Sequence, residues 1–310
     1  MMATDPALMT IVEDLIAHDR YWDAIHAIGS LMNHRRAGLT PQDWLNYLQT
    51  QLRASPVRSF ALRCPFTRRC HDKPRGYAGD AVMMDLIYGM GHDASLDSVA
   101  EELLRATTAT AAPRAVRWRR RHLAQVLDTV CERTWGQARI LSVACGHLRE
   151  AALSKGIREH GFKTLIALDQ DTESLAQVGR DWGGHGVHLD PRSVRDLLGG
   201  RSPVAAQPMD LIYTAGLYDY LGDAAATLLT QRLYEALAPG GTLLIANFMP
   251  GLPELGYMEG LMDWWLVYRD DQQMRKLTAS LPASAQASLR QYHDPEHHIS
   301  FLTLTRPLVD

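Results

Sequence analysis

Short apolar segments alternate with helical stretches in the second half of this chain, beyond residue 138. Four of them read RILSVA, TLIALD, DLIYTAG and GTLLIANF, and a weaker one covers residues 186–189. Each is bounded by a turn or a helical stretch, which is the pattern of βαβ units around a parallel sheet. Alternating apolar residues at 299–304 predict the second arm of an antiparallel hairpin. The pattern therefore predicts an α/β fold.

The first part of the chain has a helical period instead. Ile25, Ile28 and Leu31 share one helix face, and Thr40 before Pro41 has the residue types of a helix start. The stretch KPRGYAGD is too rich in proline and glycine for a helix interior, so we expect a shaped loop there. We predict a helical N-terminal extension over residues 1–130 and an α/β domain over residues 131–310.

Composition limits the cellular setting and the partners. The 310 residues are 46% hydrophobic with a net charge of -3, so nothing drives nonspecific binding to nucleic acid or anionic lipid. The four cysteines form no CxxC pair, which predicts neither a zinc site nor a disulfide framework. No apolar run approaches the length of a membrane span, and the first residues lack a leader pattern. We expect a cytoplasmic protein without a metal or a membrane partner.

The segment ILSVACGHLREA joins a strand to a single glycine, Gly146, and we expect a helix from about Leu148. In open α/β sheets, ligands bind at the carboxyl ends of the strands, where a glycine lets the backbone approach them. Asp169 ends the next strand, 23 residues further on. This is about the spacing at which nucleotide-binding domains place an acid for ribose hydroxyls, so the pair predicts an adenosine-type ligand.

The residues after Gly146 discriminate between nucleotide ligands. A dinucleotide site needs further glycines so that a pyrophosphate approaches the helix, but His147 and Leu148 follow here. Glu150 adds a negative charge that is unfavourable beside a phosphate and favourable beside a cation. A sulfonium nucleoside without a phosphate therefore fits better, and a plain βα turn is the structural alternative.

The motifs ILSVACGHLREA, LIALDQD, DLIYTAGLYDYL and LAPGGTLLIANF resemble, in order, those of class I S-adenosylmethionine-dependent methyltransferases. The resemblance covers residues 138–310 and implies a Rossmann-like seven-stranded sheet whose last strand is antiparallel. More narrowly, KPRGYAGDAVMMDLIYG and GYMEGLMDWWLVYRD resemble a bacterial group with a helical N-terminal extension, similar to enzymes that form methyl esters of 3-hydroxy fatty acids.

The resemblance implies S-adenosyl-L-methionine as cofactor and assigns its contacts by motif position. Those residues are Tyr77, Asp80, Ala144, Cys145, Gly146, Asp169, Gln170, Ser193, Val194, Arg195, Thr214, Ala215 and Gly216. Within this set Asp169 holds the ribose hydroxyls, and the residues that end the fourth strand lie beside the reactive methyl.

Methyl transfer is an in-line displacement, so alignment and exclusion of water supply much of its catalysis. A carboxylate acceptor needs a cation or donors to orient it, whereas an alcohol or phenol needs a base. The candidate catalytic residues are Tyr218, Asp219 and His298. The candidate acceptor-binding residues, an apolar wall with arginines as carboxylate partners, are Arg75, Tyr257, Trp264, Trp265, Tyr268 and Arg269. The alternative for residues 216–221 is a surface turn. The alternative for residues 256–270, whose apolar residues have helical spacing, is plain core or an interface.

Other clusters have structural explanations. His293, His297 and His298 suit a solvated hairpin turn better than a metal site, and one His acting as a base is the main alternative. The arginine run at 114–121 suits a solvated, partly ion-paired helix surface. We predict methylation of a small molecule, on oxygen of a carboxylate or hydroxy acid. An RNA methyltransferase and a cofactor-binding module without turnover remain alternatives, and a dehydrogenase is a more distant one. The helical extension caps the site, pairs subunits into a homodimer, or does both.

Overall fold

A computed structural model describes residues 6–91, 96–184, 186–199 and 207–308 of the protein. The chain divides into two compact units. Residues 1–117 and 251–265 form the first, and residues 118–250 and 266–310 form the second.

This division differs from the predicted boundary at residue 130. The units separate between Arg117 and Trp118, inside one continuous helix, and a segment from the second half of the chain folds with the first. A helical period does not reveal which part of a helix packs against which core, so the sequence did not place this boundary.

The first unit is helical. Its helices are α1 (Pro6–Ala17), α2 (Tyr21–Gly38), α3 (Pro41–Thr50), α4 (Pro56–Ala61), α5 (Pro65–Asp72), α6 (Ala81–Ile87), α7 (Ser98–Thr108) and α13 (Leu255–Gly260), and α8 (Ala111–Arg133) begins in it. The predicted start of α3 is confirmed, because the Thr40 side chain accepts a hydrogen bond from the Asp43 N–H. The predicted loop is also confirmed, since α5 ends at Asp72 and α6 begins at Ala81.

Helix α13 packs against α2 with close backbone contact. A Cβ atom built on Gly256 would lie 2.5 Å from the carbonyl carbon of Met32, nearer than any side chain can approach. The Gly256 N–H donates to Asn33 Oδ1 at 2.9 Å, and the Glu259 carboxylate accepts from Arg36 and from the buried Trp44 indole. Glycine at position 256 therefore lets the two backbones touch.

We expect Gly256→Ala to destabilise the protein by about 1–3 kcal/mol, because the added methyl must displace the α2 backbone. Gly29→Ala, in the interior of α2, is the matched control. A Cβ there meets no atom within 4 Å, so better helix propensity should stabilise the protein by about 0.5–1 kcal/mol. Urea unfolding of both variants measures the difference, and equal midpoints would contradict the packing described.

The second unit is built on one seven-stranded sheet. Its strands are β1 (Arg139–Val143), β2 (Thr164–Leu168), β3 (Val187–Asp190), β4 (Met209–Thr214), β5 (Leu237–Phe248), β6 (Arg290–His293) and β7 (Ile299–Thr305). The strand order is β3-β2-β1-β4-β5-β7-β6. Strands β1 to β5 are parallel, and β7 runs antiparallel between β5 and β6. The predicted α/β class and the Rossmann-like seven-stranded sheet are confirmed, including its terminal hairpin.

Helices cover this sheet and bury its apolar strands. They are α9 (Lys155–Arg158), α10 (Thr172–Trp182), α11 (Val194–Leu198), α12 (Asp223–Glu235), α14 (Asp271–Lys276) and α15 (Ala283–Ala287), and the last turns of α8 belong here as well. Ile212 and Ile245 on the strands share one buried cluster with Leu229 and Leu233 of α12. The parallel order brings the carboxyl ends of β1 to β5 to one edge.

Two predicted helices are corrected. No helix begins at Leu148, because Leu148 takes a left-handed conformation (φ 52°) and successive turns lead to the short α9. The segment 256–270 is helical only to Gly260, and Asp263 beyond it is left-handed (φ 47°). Within the described part of the chain, no helix combines the length and the apolar character that crossing a membrane requires.

Candidate functional site

The predicted glycine turn and acid lie in direct contact at the carboxyl edge of the sheet. The Gly146 N–H donates to Asp169 Oδ2 at 2.8 Å, and the Asp171 N–H donates to Oδ1 at 2.9 Å. Asp169 is only 7% exposed, and burial raises the pKa of its carboxyl group. An ionised carboxylate has about four acceptor positions. Two therefore remain for a pair of hydroxyl groups.

The turn itself is tightly constrained. Ala144 and Gly146 both have left-handed backbones, each with φ 54°, although only glycine adopts this conformation without cost. The Cys145 N–H between them donates to the Leu168 carbonyl at the end of β2. Burial raises the pKa of the Cys145 thiol well above its usual value, so it remains protonated. Strained backbone of this kind is typical of ligand-binding loops.

Glu150 is placed differently from the prediction. It lies in a turn and not in a helix, it is 9% exposed, and it accepts a hydrogen bond from the Tyr213 hydroxyl at 2.6 Å. Burial raises the pKa of its carboxyl group. Because Leu148 breaks the helix, the helix N-terminus expected at this edge is absent from the described loop.

The residues assigned to the adenine follow β2 and β3. Gln170 is exposed after Asp169, while Ser193 is the N-cap of α11 and exchanges hydrogen bonds with Asp196 in a capping box. Val194 and Arg195 begin that helix. Asp190, which sequence reasoning missed, ends β3 nearly buried, and its backbone carbonyl accepts from the Asp169 N–H at 3.0 Å. The acid in the segment HLDP was the available signal.

Two buried polar atoms near the end of β4 have no hydrogen-bond partner among the described residues. They are the Thr214 hydroxyl and Nη1 of Arg119. Thr214 is the last residue of β4 and is 1% exposed, and Ala215 and Gly216 follow it half-buried. A Cβ atom on Gly216 would lie 3.7 Å from Arg119 Nη1, so the guanidinium group borders this turn.

Arg119 is the main functional candidate that sequence reasoning missed. It lies on α8, is 4% exposed, and its guanidinium carbon lies 5.9 Å from the ring centre of Phe248 at the end of β5. The run at 114–121 was expected to be solvated, and this expectation is wrong for Arg119 but is borne out by the exposed Arg114 and Arg121. Arg117 donates to the carbonyls of Ile87 and Thr108, and Arg120 donates to the carbonyl of Arg149. The only sequence feature that could have indicated its burial was its position on the apolar face of the helix, which Arg119 interrupts.

Asp219 lies beside Arg119 at the same edge. It is 2% exposed, its Oδ1 accepts from the Phe248 N–H at 2.7 Å, and its carbonyl accepts from the Val267 N–H. Burial raises the pKa of its carboxyl group to about 7, although the Phe248 N–H and the charge of Arg119 lower it. The structure thus places this predicted residue where the end of β4 meets the end of β5.

We expect Asp219→Asn to stabilise the protein at pH 8 and to have little effect at pH 4. The folded pKa, about 7, exceeds the ordinary value of 3.8, so the stability that wild-type Asp219 contributes at low pH is lost as pH rises toward 7. At about 1.4 kcal/mol per pKa unit, the gain at pH 8 is on the order of 4 kcal/mol. Urea unfolding at both values of pH measures it, and a pH-independent difference would contradict a protonated Asp219.

Two other predicted residues form structural contacts here. Tyr218 is fully buried in the core, where its hydroxyl bonds with Thr230 Oγ1 at 2.9 Å, so it does not present a polar tip to the edge. Arg269 is 1% exposed, and its guanidinium donates to the carbonyls of Tyr218 and Leu221 and to the side chains of Asn247 and Asp223. All five of its N–H groups are engaged. This corrects the predicted roles of Tyr218 in catalysis and of Arg269 in acceptor binding.

His298 lies in the turn between β6 and β7, at the same edge of the sheet. Its carbonyl accepts from the Met249 N–H just beyond β5, and its Nε2 lies 3.5 Å from a Glu296 carboxylate oxygen. His293 is paired with Asp271 at 2.8 Å. Across the described residues, no group of three or more His, Cys, Asp or Glu side chains is arranged to hold a metal.

The remaining predicted residues lie in the first unit. Asp80 is fully buried, caps α6 through the Met83 N–H and pairs with the Arg69 guanidinium through both oxygens. These contacts fix the loop at 73–80, and the predicted cofactor contact of Asp80 stays a prediction. Arg75 and Tyr77 are half-buried in the same loop, and their predicted contacts stay predictions.

The aromatic segment divides between the units. Tyr257 and Trp264 are buried in the first unit, and the Tyr257 hydroxyl bonds with Thr67 Oγ1 at 3.0 Å. Trp265 is 41% exposed and donates to Asp263, while Tyr268 is half-buried in the second unit. Only the first two therefore share one apolar wall.

Comparison with solved structures shows a shared fold. The protein is similar to a "possible exported protein" from Bordetella parapertussis, with 18% identity over 87% of this chain and 99% of that one, and a TM-score of 0.60. It is also similar to magnesium protoporphyrin IX methyltransferase from Synechocystis PCC 6803 with bound SAH, at 12% identity, 72% and 91% coverage and a TM-score of 0.46. N-methyltransferase NodS from Bradyrhizobium japonicum WM9 matches at 14% identity, 60% and 96% coverage and a TM-score of 0.41. No protein-family model matches the chain, and neither does any curated protein.

Proposed function

We propose that this chain is an S-adenosyl-L-methionine-dependent methyltransferase that acts on a small molecule. The observation that carries the proposal is the contact between the Gly146 N–H and the Asp169 carboxylate, at the carboxyl ends of neighbouring strands in a sheet of order β3-β2-β1-β4-β5-β7-β6. Some methyltransferases with similar folds are known with S-adenosylmethionine or its product bound.

The chemistry of this edge fits a sulfonium nucleoside. The free acceptor positions of Asp169 match two ribose hydroxyls, and the single glycine turn offers little to a pyrophosphate. The Thr214 hydroxyl is buried without a partner among the described residues. A buried hydroxyl left unpaired costs free energy, which a bound polar ligand restores. Asp169 would hold the ribose, and Ala144 to Gly146 would border the methionine part.

When bound, the cofactor supplies a methyl group on a positively charged sulfur. The sulfur is the leaving group and becomes a neutral thioether. The protein must align an acceptor oxygen with that methyl and exclude water. Arg119 and Asp219 border the end of β4 and are both nearly buried. Their local dielectric is low, so a charge placed there interacts strongly with them.

We infer that the acceptor is a carboxylate, either of a simple acid or of a hydroxy acid. Arg119 presents a buried cation with an uncommitted Nη1, which suits an anionic oxygen. A carboxylate acceptor gives its electron pair to the methyl carbon and releases no proton, so no base is required. Asp219, with a pKa of about 7, is largely protonated below that pH and then donates a hydrogen bond without repelling the acceptor.

The test is incubation with S-adenosylmethionine carrying a labelled methyl group and pools of small acids, alcohols and amines, followed by mass spectrometry. We expect label in methyl esters that mild alkali removes. Label in ethers or amines would refute the carboxylate assignment. Binding of S-adenosylhomocysteine without transfer to any pool, or to RNA, would favour a cofactor-binding module instead.

The acceptor class, the cellular location and the oligomeric state stay predictions. The similarity to enzymes that form methyl esters of 3-hydroxy fatty acids predicts acyl acceptors, and the cysteine content predicts a cytoplasmic location. Pairing of subunits into a homodimer through the helical unit is a further prediction, which sedimentation equilibrium measures directly. RNA binding through the arginine run stays a prediction, because Arg117 and Arg120 donate to backbone carbonyls and Arg119 is nearly buried, whereas Arg114 and Arg121 are exposed.

A further inference from the structure

The first unit contains a cavity of about 350 Å³ that the proposed reaction does not account for. Its volume lies within the range of small-molecule sites, roughly 300–1,000 Å³. The wall is mostly apolar and includes Phe66, Met258, Met262 and Trp264. Exposed residues of α2, including His26, form its rim, so the cavity opens to solvent.

Most polar groups of the wall are satisfied within the protein. Asn33 donates to the Leu252 carbonyl and accepts from the Gly256 N–H, Thr110 donates to the Thr107 carbonyl, and the Tyr257 hydroxyl bonds with Thr67. These groups therefore need no hydrogen bond from a ligand.

Glu254 is the exception. One of its carboxylate oxygens accepts a hydrogen bond from the Ala111 N–H, and the other, Oε2, is buried without a partner among the described residues. Three titratable residues line the cavity: His26 at the rim, Tyr257 with its phenol, and Glu254. Glu254 is the one carboxylic acid among these lining residues. A carboxylate oxygen buried in an apolar wall is costly unless a donor reaches it.

We propose that this cavity binds a small molecule with an apolar body and a protonated amine, and that the amine donates to Glu254 Oε2. The apolar wall holds the body by burial, and the unpaired carboxylate oxygen selects the head group by charge. A ligand with an anionic head group is rejected, because it would place two like charges together in a low dielectric.

The test compares two ligands that share an apolar body, 4-phenylbutylamine and 4-phenylbutyrate, by calorimetry at fixed pH without any cofactor. The full chain should bind the amine at least tenfold more tightly than the acid. Glu254→Gln keeps the acceptor for Ala111 but removes the charge, and it should reduce the preference to less than threefold. Equal affinities in the wild type, no binding of the amine, or an unchanged preference in the variant would each overturn the proposal.

A second variant tests the location. Gly29 lines the cavity, and a Cβ atom there meets no atom within 4 Å, so Gly29→Phe should fill the space and abolish amine binding. Gly38→Phe is the matched control, since Gly38 is exposed on the same helix and also has no atom within 4 Å of its Cβ. It should bind the amine as the wild type does. Retained binding in Gly29→Phe, with a normal melting temperature, would show that the amine binds elsewhere. Because no cofactor is present, these results do not depend on methyl transfer.

Discussion

Replacing Asp169 with alanine is expected to weaken the binding of S-adenosylhomocysteine by roughly 10- to 100-fold, because hydrogen bonds to a charged group contribute about 1.5–3 kcal/mol. The carboxylate is nearly buried, and its remaining acceptor positions suit the ribose hydroxyls. Calorimetric titration of the variant and the wild type measures the change. S-Adenosylhomocysteine lacks the reactive methyl, so the titration reports binding alone.

Asp169 also holds the turn through the Gly146 N–H, so the effect needs a control for structure. Asp210 offers one, because its carboxylate likewise accepts a backbone N–H, that of Arg139, at the opposite edge of the sheet. Asp210→Ala should lose stability without losing affinity. If the two variants weaken binding equally, the loss comes from the fold and the ribose assignment for Asp169 is wrong.

Replacing Arg119 with methionine is expected to reduce kcat/KM for a carboxylate acceptor by about 30-fold or more, since loss of one partner from a buried charged contact costs about 2–5 kcal/mol. The variant should fold normally, because it removes a buried charge whose Nη1 has no protein partner among the described residues. The effect should appear in KM for the acceptor, while the Kd for S-adenosylhomocysteine changes by less than about threefold. Steady-state kinetics and calorimetry separate the two.

Arg121→Met is the matched control on the same helix, because Arg121 is exposed and should tolerate the change. Arg119→Lys should restore only part of the activity, since an ammonium lacks the planar pair of donors. A fall in S-adenosylhomocysteine affinity with an unchanged acceptor KM would instead assign Arg119 to the cofactor. Equal losses in the variants at 119 and 121 would remove Arg119 from the site.

The sequence was most informative where local pattern determines structure. The apolar runs predicted the five parallel strands, because buried parallel strands need such runs, and the alternating pattern near the C-terminus predicted the antiparallel hairpin. Strand β5 nevertheless begins at Leu237, before the predicted start at Gly241. Gly146 and Asp169 were brought together by topology alone, since adjacent parallel strands end at one edge.

Side chains were harder to place, because burial depends on contacts between distant segments. Arg119 and Arg269 are both nearly buried, yet one has an uncommitted Nη1 and the other has five engaged N–H groups. No spacing rule separates them. The left-handed backbone of Leu148 prevents the expected helix at a position where neither glycine nor proline marks the break.

The segment after β5 shows a third limit of local pattern. Its apolar residues predicted a wall, but residues 251–265 fold with the first unit, where Tyr257 and Trp264 line the cavity with Glu254. Gly256 is the local reason, because only glycine allows this close contact between α13 and α2. A single glycine in a sequence does not reveal which backbone it meets.

A crystal structure of the protein with S-adenosylhomocysteine tests the central claim most directly. We predict that both ribose hydroxyls lie within hydrogen-bond distance of the Asp169 carboxylate and that the sulfur lies over the turn at 214–216. Density for the nucleoside elsewhere, or a ribose that does not reach Asp169, would contradict the account.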